Sequence, residues 1–243
     1  MVWEMVLAHA RQFYRNRTTA FGGIVLPLVF LAVLVLSGYS SGGDNQRMRG
    51  MFAVAIYFMV ASVCFFGTVS PVIALREKGV VSLLGTTPLP RGVFLAAMIP
   101  VRLVVGALLV AVALGVGHQL DILTRLNWSL LLAILAAVAF LLPLGLFMAA
   151  FVKSIEASNN VLSLILMLTT FMGGVLVPLT KLPEWLHQGL GYLPPSRVFD
   201  LLLHGFTGLP YEYSLSGTLF VIGLWSTLLA GLATTFFSWG EQE

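Results

Sequence analysis

Charge is what this chain has least of. Of its 243 residues only 9% are Asp, Glu, Lys or Arg, while 58% are hydrophobic. A soluble domain carries roughly a quarter charged residues. So few charges cannot keep a surface hydrated, and lipid is the solvent this composition suits. The net charge of +3 lacks the clustered basic patch that nucleic acid requires, so no nucleic-acid partner is expected. One cysteine, Cys64, leaves no partner for an intrachain disulfide and reads as a packed thiol in an apolar run. The Gly-rich phosphate loop ending in Gly-Lys-Ser/Thr is absent. So are zinc-spaced Cys/His pairs and a G-x-S-x-G elbow. The four histidines, His9, His118, His187 and His204, are scattered along the chain. Ionisable residues are nearly missing from the apolar runs, which argues against a proton-coupled carrier. No signal peptide is expected, since Arg11, Arg15 and Arg17 precede the first long apolar run without a small-residue cleavage site.

Apolar runs of about 20 residues, the length a helix needs to cross a bilayer, fill the remainder. Six are predicted: about Thr19–Ser37, Met51–Leu75 (mildly interrupted by Gly67 and Pro71), Val93–Gly117, Trp128–Val152, Val161–Leu179 and Leu215–Trp239. They are continuous and too long for barrel strands. With both termini inside, the cytoplasmic face receives Arg11, Arg15, Arg17, Arg76, Lys78, Arg91, Lys153 and Arg102, against Arg47, Arg49, Arg125, Lys181 and Arg197 outside. The surplus favours that orientation. Residues 1–17 read as an interfacial helix, with Val2, Met5, Val6 and Phe13 on one side and Arg11 and Arg15 one turn apart, the alternative being a frayed basic tail that only enforces topology. The whole of 1–243 reads as one membrane domain.

Between the second and third runs lies a short charged and amphipathic insert, Leu75–Phe94. Arg76, Glu77 and Lys78 form a charged turn. Val80, Val81, Leu83 and Leu84 give apolar positions at helical spacing, with Gly85 as the predicted C-cap. Thr86, Thr87 and Pro88 break the chain before Pro90 and Arg91 begin the next run. A short helix tied at both ends suits a groove on a partner; the plainer alternative is a loop whose charges only fix topology.

The stretch 180–214 is too polar to cross and too apolar for a solvated loop. Pro183 fits the first turn of a short helix, and Pro194-Pro195 is expected to end it in extended geometry. A second amphipathic helix through Val198–His204 would complete a re-entrant hairpin in the outer leaflet, with Trp185 and Tyr192 at headgroup depth. Arg102, just after Pro100, either snorkels to cytoplasmic headgroups or lines an inner cavity and meets an anionic group. Asn159 and Asn160 are placed at the start of the fifth span, as caps or at the inner mouth.

Two segments resemble a known family. Arg76-Glu77-Lys78-Gly79 with Thr86-Thr87-Pro88-Leu89-Pro90-Arg91 is similar to the coupling region of type-2 ABC exporter permeases. These are the membrane subunits of the drug-resistance, antibiotic-export and polysaccharide-export class. Gly173-Gly174-Val175-Leu176-Val177-Pro178-Leu179, followed by Leu182-Pro183-Glu184-Trp185-Leu186 and Leu193-Pro194-Pro195, is similar to the end of that family's fifth span. Val80 stands where the family usually has Thr, and Leu75 where it has an acidic residue. The resemblance implies six spans, an N-terminal elbow helix, a cytoplasmic coupling helix and an extracellular re-entrant hairpin, in the cytoplasmic (inner) membrane. It implies a second permease subunit, identical or not, and separate nucleotide-binding subunits that carry ATP and magnesium. Arg76, Glu77, Lys78, Gly79, Leu83, Leu84, Thr86, Thr87 and Pro88 would form the ATPase contact. Gly173, Gly174, Asn160 and Arg102 are the candidates for the pathway and dimer interface, with tight packing inside one subunit as the alternative for the glycines. A regulatory or assembly subunit that carries nothing, and a haem or lipid export subunit relying on His118 or His187, are the competing readings. Catalysis by this chain has no reactive cluster to support it.

Overall fold

The computed structural model describes residues 6–7, 9–11, 17–40, 45–122, 127–152, 154–174 and 182–239, and among them every regular element is helical. Arg17–Ala20 and a π-helical turn, Phe21–Val25, lead into α1 (Leu26–Ser40). There follow α2 (Asn45–Glu77), α3 (Val80–Gly85), α4 (Arg91–Ala96), α5 (Ile99–Gln119) and α6 (Trp128–Phe151). Then come α7 (Ile155–Met172), α8 (Glu184–Leu190), α9 (Pro194–Thr207) and α10 (Leu215–Phe236).

The organising element is α2. Its 33 residues rise about 50 Å, more than the roughly 30 Å of a hydrocarbon core, so it projects beyond the lipid. It is apolar on every side because it is buried on every side: Phe52, Tyr57, Phe65 and Ile73 are all enclosed. Helices α1, α5, α6, α7 and α9 pack around it. The most hydrophobic stretch of α2 is 89% buried, against 17% for α10, which lies outside against α6. Gly145 permits the closest of these contacts, since a Cβ there would collide with the carbonyl oxygen of Cys64 on α2. Ser226 Oγ donates to Ala139 O at 2.7 Å and ties α10 to α6.

Five helical stretches are long and apolar enough to cross a membrane: Phe21–Gly38, Asn45–Glu77, Arg91–Gln119, Trp128–Phe151 and Leu215–Phe236. They coincide with the first, second, third, fourth and sixth predicted spans. Where the fifth was predicted, α7 is apolar over Asn160–Met172, and 175–181 fall outside the described residues. The second span runs on through Gly67 and Pro71, because losing one N–H at Pro71 is outweighed by burial along the helix. The third is in two pieces. Pro100 sits in the first turn of α5 and cannot donate back into α4, so the helix breaks at Ala97-Met98. The predicted elbow helix lies mostly outside the described residues, though 6–7 and 9–11 are helical.

Asn160 departs from its predicted place. Helix α7 begins at Ile155, so Asn160 lies inside it and is exposed, not at its cap. The cap that does form was not foreseen. Asn127 Oδ1 accepts the Leu130 N–H at 2.8 Å to start α6, while its Nδ2 donates to Gly205 O at 3.0 Å on α9.

Candidate functional site

At the end of α2 the chain reverses through Gly79, whose φ of 68° lies in the left-handed region that glycine enters at little cost. Its N–H donates to Arg76 O at 2.9 Å and its carbonyl accepts from Leu83 at 3.1 Å, which starts α3. Within this single turn and a half, Val81 is buried and Leu84 half-buried, while Leu83 is 69% exposed. Glu77, Lys78, Ser82, Thr86, Thr87 and Pro88 share that exposure. The hydroxyls of Thr86 and Thr87 donate to Leu83 O and Leu84 O at 2.8 and 2.6 Å, which satisfies the last carbonyls of the helix. Gly85 is not the predicted C-cap: Thr86 holds that position with right-handed backbone. The absence of a side chain at Gly85 serves packing instead, because a Cβ there would stand 2.7 Å from the Cβ of Trp239.

Beneath α3 lies an aromatic cluster. The Phe94 ring has centroid distances of 5.5 Å to His9, 5.4 Å to Phe237 and 5.4 Å to Trp239. Arg76 spans this corner. Its guanidinium stands 5.2 Å over the Phe237 ring, and Nη1 donates to Val152 O at 2.9 Å, just past α6. The ends of α2, α6 and α10, the N-terminal segment and α4 thus meet under one exposed helical edge. Sequence reasoning missed His9, Phe94, Phe237, Trp239 and Val152 as parts of this site. Aromatics at span ends are a visible signal, but their mutual contacts are tertiary.

At the opposite end of α2 the hairpin segment forms a second constellation. Pro183 precedes α8 as its N-cap, one position earlier than predicted. Pro194-Pro195 does not interrupt the chain; only Leu193 is extended, and the two prolines open α9. The first N–H groups of a helix have no intrahelical acceptor, so proline costs nothing there. Helix α9 packs on α2, α6, α7 and α10, while Trp185 and Tyr192 are each 73% exposed. The Asp200 carboxylate accepts the N–H groups of Glu212 and Tyr213 at 3.1 and 3.3 Å. Burial holds its pKa above the usual carboxylate range, against the pull of those two bonds. Arg197 donates to Gly191 O at 2.6 Å and lies 4.4 Å from the Tyr213 ring. His187 meets Glu212 at 2.5 Å.

The remaining predicted residues do not gather in one place. Gly173 is buried where a Cβ would stand 3.4 Å from Phe199 Cβ and Pro195 O, so it seats α9 of the same chain. Gly174, with φ of 77°, ends α7. Arg102 lies elsewhere, in a groove bordered by α2, α5 and α6. It is 2% exposed, which overturns the snorkelling alternative.

Residues 2–207 match the family model of the ABC-2 type transporter. No curated protein matches the chain. The match spans α1 to α9, including α3 and the end of α2, while α10 with Phe237 and Trp239 lies beyond it. The chain therefore belongs to the ABC-2 type transporter family, as a multi-pass membrane protein that forms the permease component of such a transporter and is not itself catalytic.

Proposed function

We propose that this permease is the membrane half of an ATP-driven exporter. It pairs with a second permease subunit, identical or homologous, and each docks on a nucleotide-binding subunit that carries ATP and magnesium. The observation that carries this reading is the edge of α3. Glu77, Lys78, Leu83, Thr86, Thr87 and Pro88 face outward from a six-residue helix whose inner side rests on the aromatic corner. An isolated helix of this length is unstable in water, so its seat must supply its order. A seated apolar and charged edge suits a groove on a soluble partner. Closure of the ATPase subunits would push on this edge. Arg76, Gly79 and Leu84 would pass the displacement to α2, α6 and α10 as packed bodies that shift between discrete arrangements.

In this arrangement the sixth crossing is at α7, both termini are cytoplasmic, and the membrane is the inner one. The α8–α9 hairpin enters the outer leaflet, with Trp185 and Tyr192 at the headgroups. The substrate path runs between the permease subunits along the exposed side of α7, where Asn160, Leu164, Met167 and Phe171 face outward. Gly173 and Gly174 stand at its far end.

The test is Glu77→Arg. The variant should insert and fold as wild type, fail to retain the ATPase during purification, and lose transport. Unchanged ATPase retention and transport would refute the coupling assignment. Co-purification also separates a transport permease, which brings down an ATPase in stoichiometric amount, from a regulatory or assembly subunit. The haem-export alternative needs a free His118 or His187, and His187 is engaged by Glu212.

A further inference from the structure

Arg102 carries the inference. It is almost fully enclosed, at 2% exposure. Its Nη1 donates to Met98 O at 2.9 Å, but among the described residues neither Nε nor Nη2 has a hydrogen-bond partner. Those two nitrogens form one edge of the guanidinium, the edge that grips a carboxylate with two parallel N–H bonds. Arginine does not shed its charge to escape burial, and buried donors left unmatched are costly.

Arg102 stands at one end of a groove of about 550 Å³, a size typical of small-molecule sites, which span roughly 300–1,000 Å³. The walls are apolar: Val60 and Cys64 from α2, Gly106 and Val110 from α5, Leu131 and Val138 from α6. Asn127 also borders it, but its amide is already engaged with Leu130 and Gly205. Arg102 is thus the lining residue with charged donors to spare. Along α5 the groove extends from Arg102 to Leu114, roughly 18 Å at 1.5 Å per residue. It opens sideways between Leu103, Leu131 and Leu135, which are 44%, 44% and 57% exposed on faces that a bilayer would cover.

We propose that this groove binds a single-chain amphiphile with a carboxylate head, a fatty-acid-like molecule drawn from the bilayer. Its head pairs with Nε and Nη2 of Arg102, which are enclosed here, so the guanidinium must turn towards the groove to present them, and its tail runs along α5 and α6 towards Trp128. The volume of the groove and its one cationic end fit one acyl chain rather than a two-chain lipid. The site is separate from the α7 face and from α3, so it stands or falls independently of the transport path and of ATPase docking.

Trp128, 80% exposed and lining the far end of the groove, provides the readout. Hexadecanoic acid brominated at its terminal carbon is titrated into the purified permease in non-ionic detergent, and tryptophan quenching is followed. Trp128→Phe identifies the part of the signal that belongs to Trp128. Saturable quenching of that part is expected. The brominated alcohol of the same length should bind about tenfold or more weakly, as should the acid with Arg102→Leu, since each loses the charged hydrogen bonds. Arg102→Lys should fall between. Gly106→Phe should abolish saturable quenching by filling the groove; a Cβ at Gly106 meets no atom within 4 Å, so the added side chain starts into open space. Equal affinity for acid and alcohol overturns the proposal on wild type alone, even if Arg102→Leu fails to fold. Quenching unaffected by Gly106→Phe overturns the placement. Displacement of the acid by vesicles of two-chain phosphatidylglycerol, but not by unlabelled hexadecanoate, overturns the choice of ligand.

Discussion

At the end of the bundle that carries α3, rings and methyl groups supply most of the contacts: His9, Phe237 and Trp239 around Phe94, and Val81 turned inward, with the Arg76 bond to Val152 O beside them. At the opposite end, α9 and the chain leading to α10 are held by directional bonds. Asp200 takes two backbone N–H groups, Arg197 reaches Gly191 O, Ser196 Oγ donates to Leu190 O at 2.6 Å, and His187 meets Glu212. Apolar contact depends on area and tolerates small rotations, whereas hydrogen bonds weaken steeply when misaligned. Directional bonds thus set the register of the far end more narrowly than apolar contact sets that of the α3 end. That difference fits the proposed docking of an ATPase subunit on α3.

The comparison breaks most readily at the far end. Asp200→Leu removes the acceptor for two N–H groups. Glu212 is exposed and water can replace its bond, but Tyr213 is half-buried, so the loss should be about 2 kcal/mol. It should appear as a lower midpoint in thermal unfolding in detergent. Phe94→Leu keeps most of the apolar volume and should cost less than about 1.5 kcal/mol despite the complete burial of Phe94. If it costs more than Asp200→Leu, the α3 end is as specifically fitted as the other and the contrast is wrong.

Gly85→Ala is smaller still in stability. Overpacking against Trp239 costs about 1–3 kcal/mol, but alanine in place of glycine returns up to about 1 kcal/mol of helix propensity. The net effect should be near 1 kcal/mol, with a shifted Trp239 emission because the indole must move. Transport coupling should suffer more than the melting point does. An unmoved emission spectrum would mean that α3 itself gives way, and that Trp239 is not its seat.

How much of this was legible beforehand follows from range. Spans appear as continuous apolar runs, so five of them could be placed to within a few residues. The Thr86-Thr87-Pro88 stop was readable as turn chemistry, since its reason is local, whereas the turn expected at Arg76-Glu77-Lys78 falls later, at Gly79. Gly85 and the proline pair were misassigned because each residue type has two uses. Gly85 is glycine for the sake of Trp239, more than a hundred residues away, and Pro194-Pro195 starts a helix where a helix stop was expected. The break before Pro100 followed a local rule that the length of the apolar run concealed. Asp200 and Phe94 gave no local sign, because their partners are brought to them only by the packing of α9 and α10.

The smallest effect is a slope with pH, and it bears on what pins the far end. Burial, aided by the neighbouring Glu212 carboxylate, holds the Asp200 carboxyl above its usual range, while the two N–H bonds draw it down. A carboxyl whose pKa is raised on folding binds its proton more readily in the folded state. The stability it contributes is complete below the unfolded value of about 4 and is lost as pH rises through the folded value. Wild type should therefore lose stability relative to Asp200→Asn as pH rises from about 4 towards 7, not as it falls. Asparagine keeps an acceptor oxygen and does not titrate, so the difference in melting midpoint between the two isolates the carboxyl. A flat difference would move the weight of the far end onto Arg197 and the His187–Glu212 pair. A difference of opposite sign would mean that the two N–H bonds outweigh burial, and the far end would then be pinned by the charged form of Asp200, with acid as the condition that releases it.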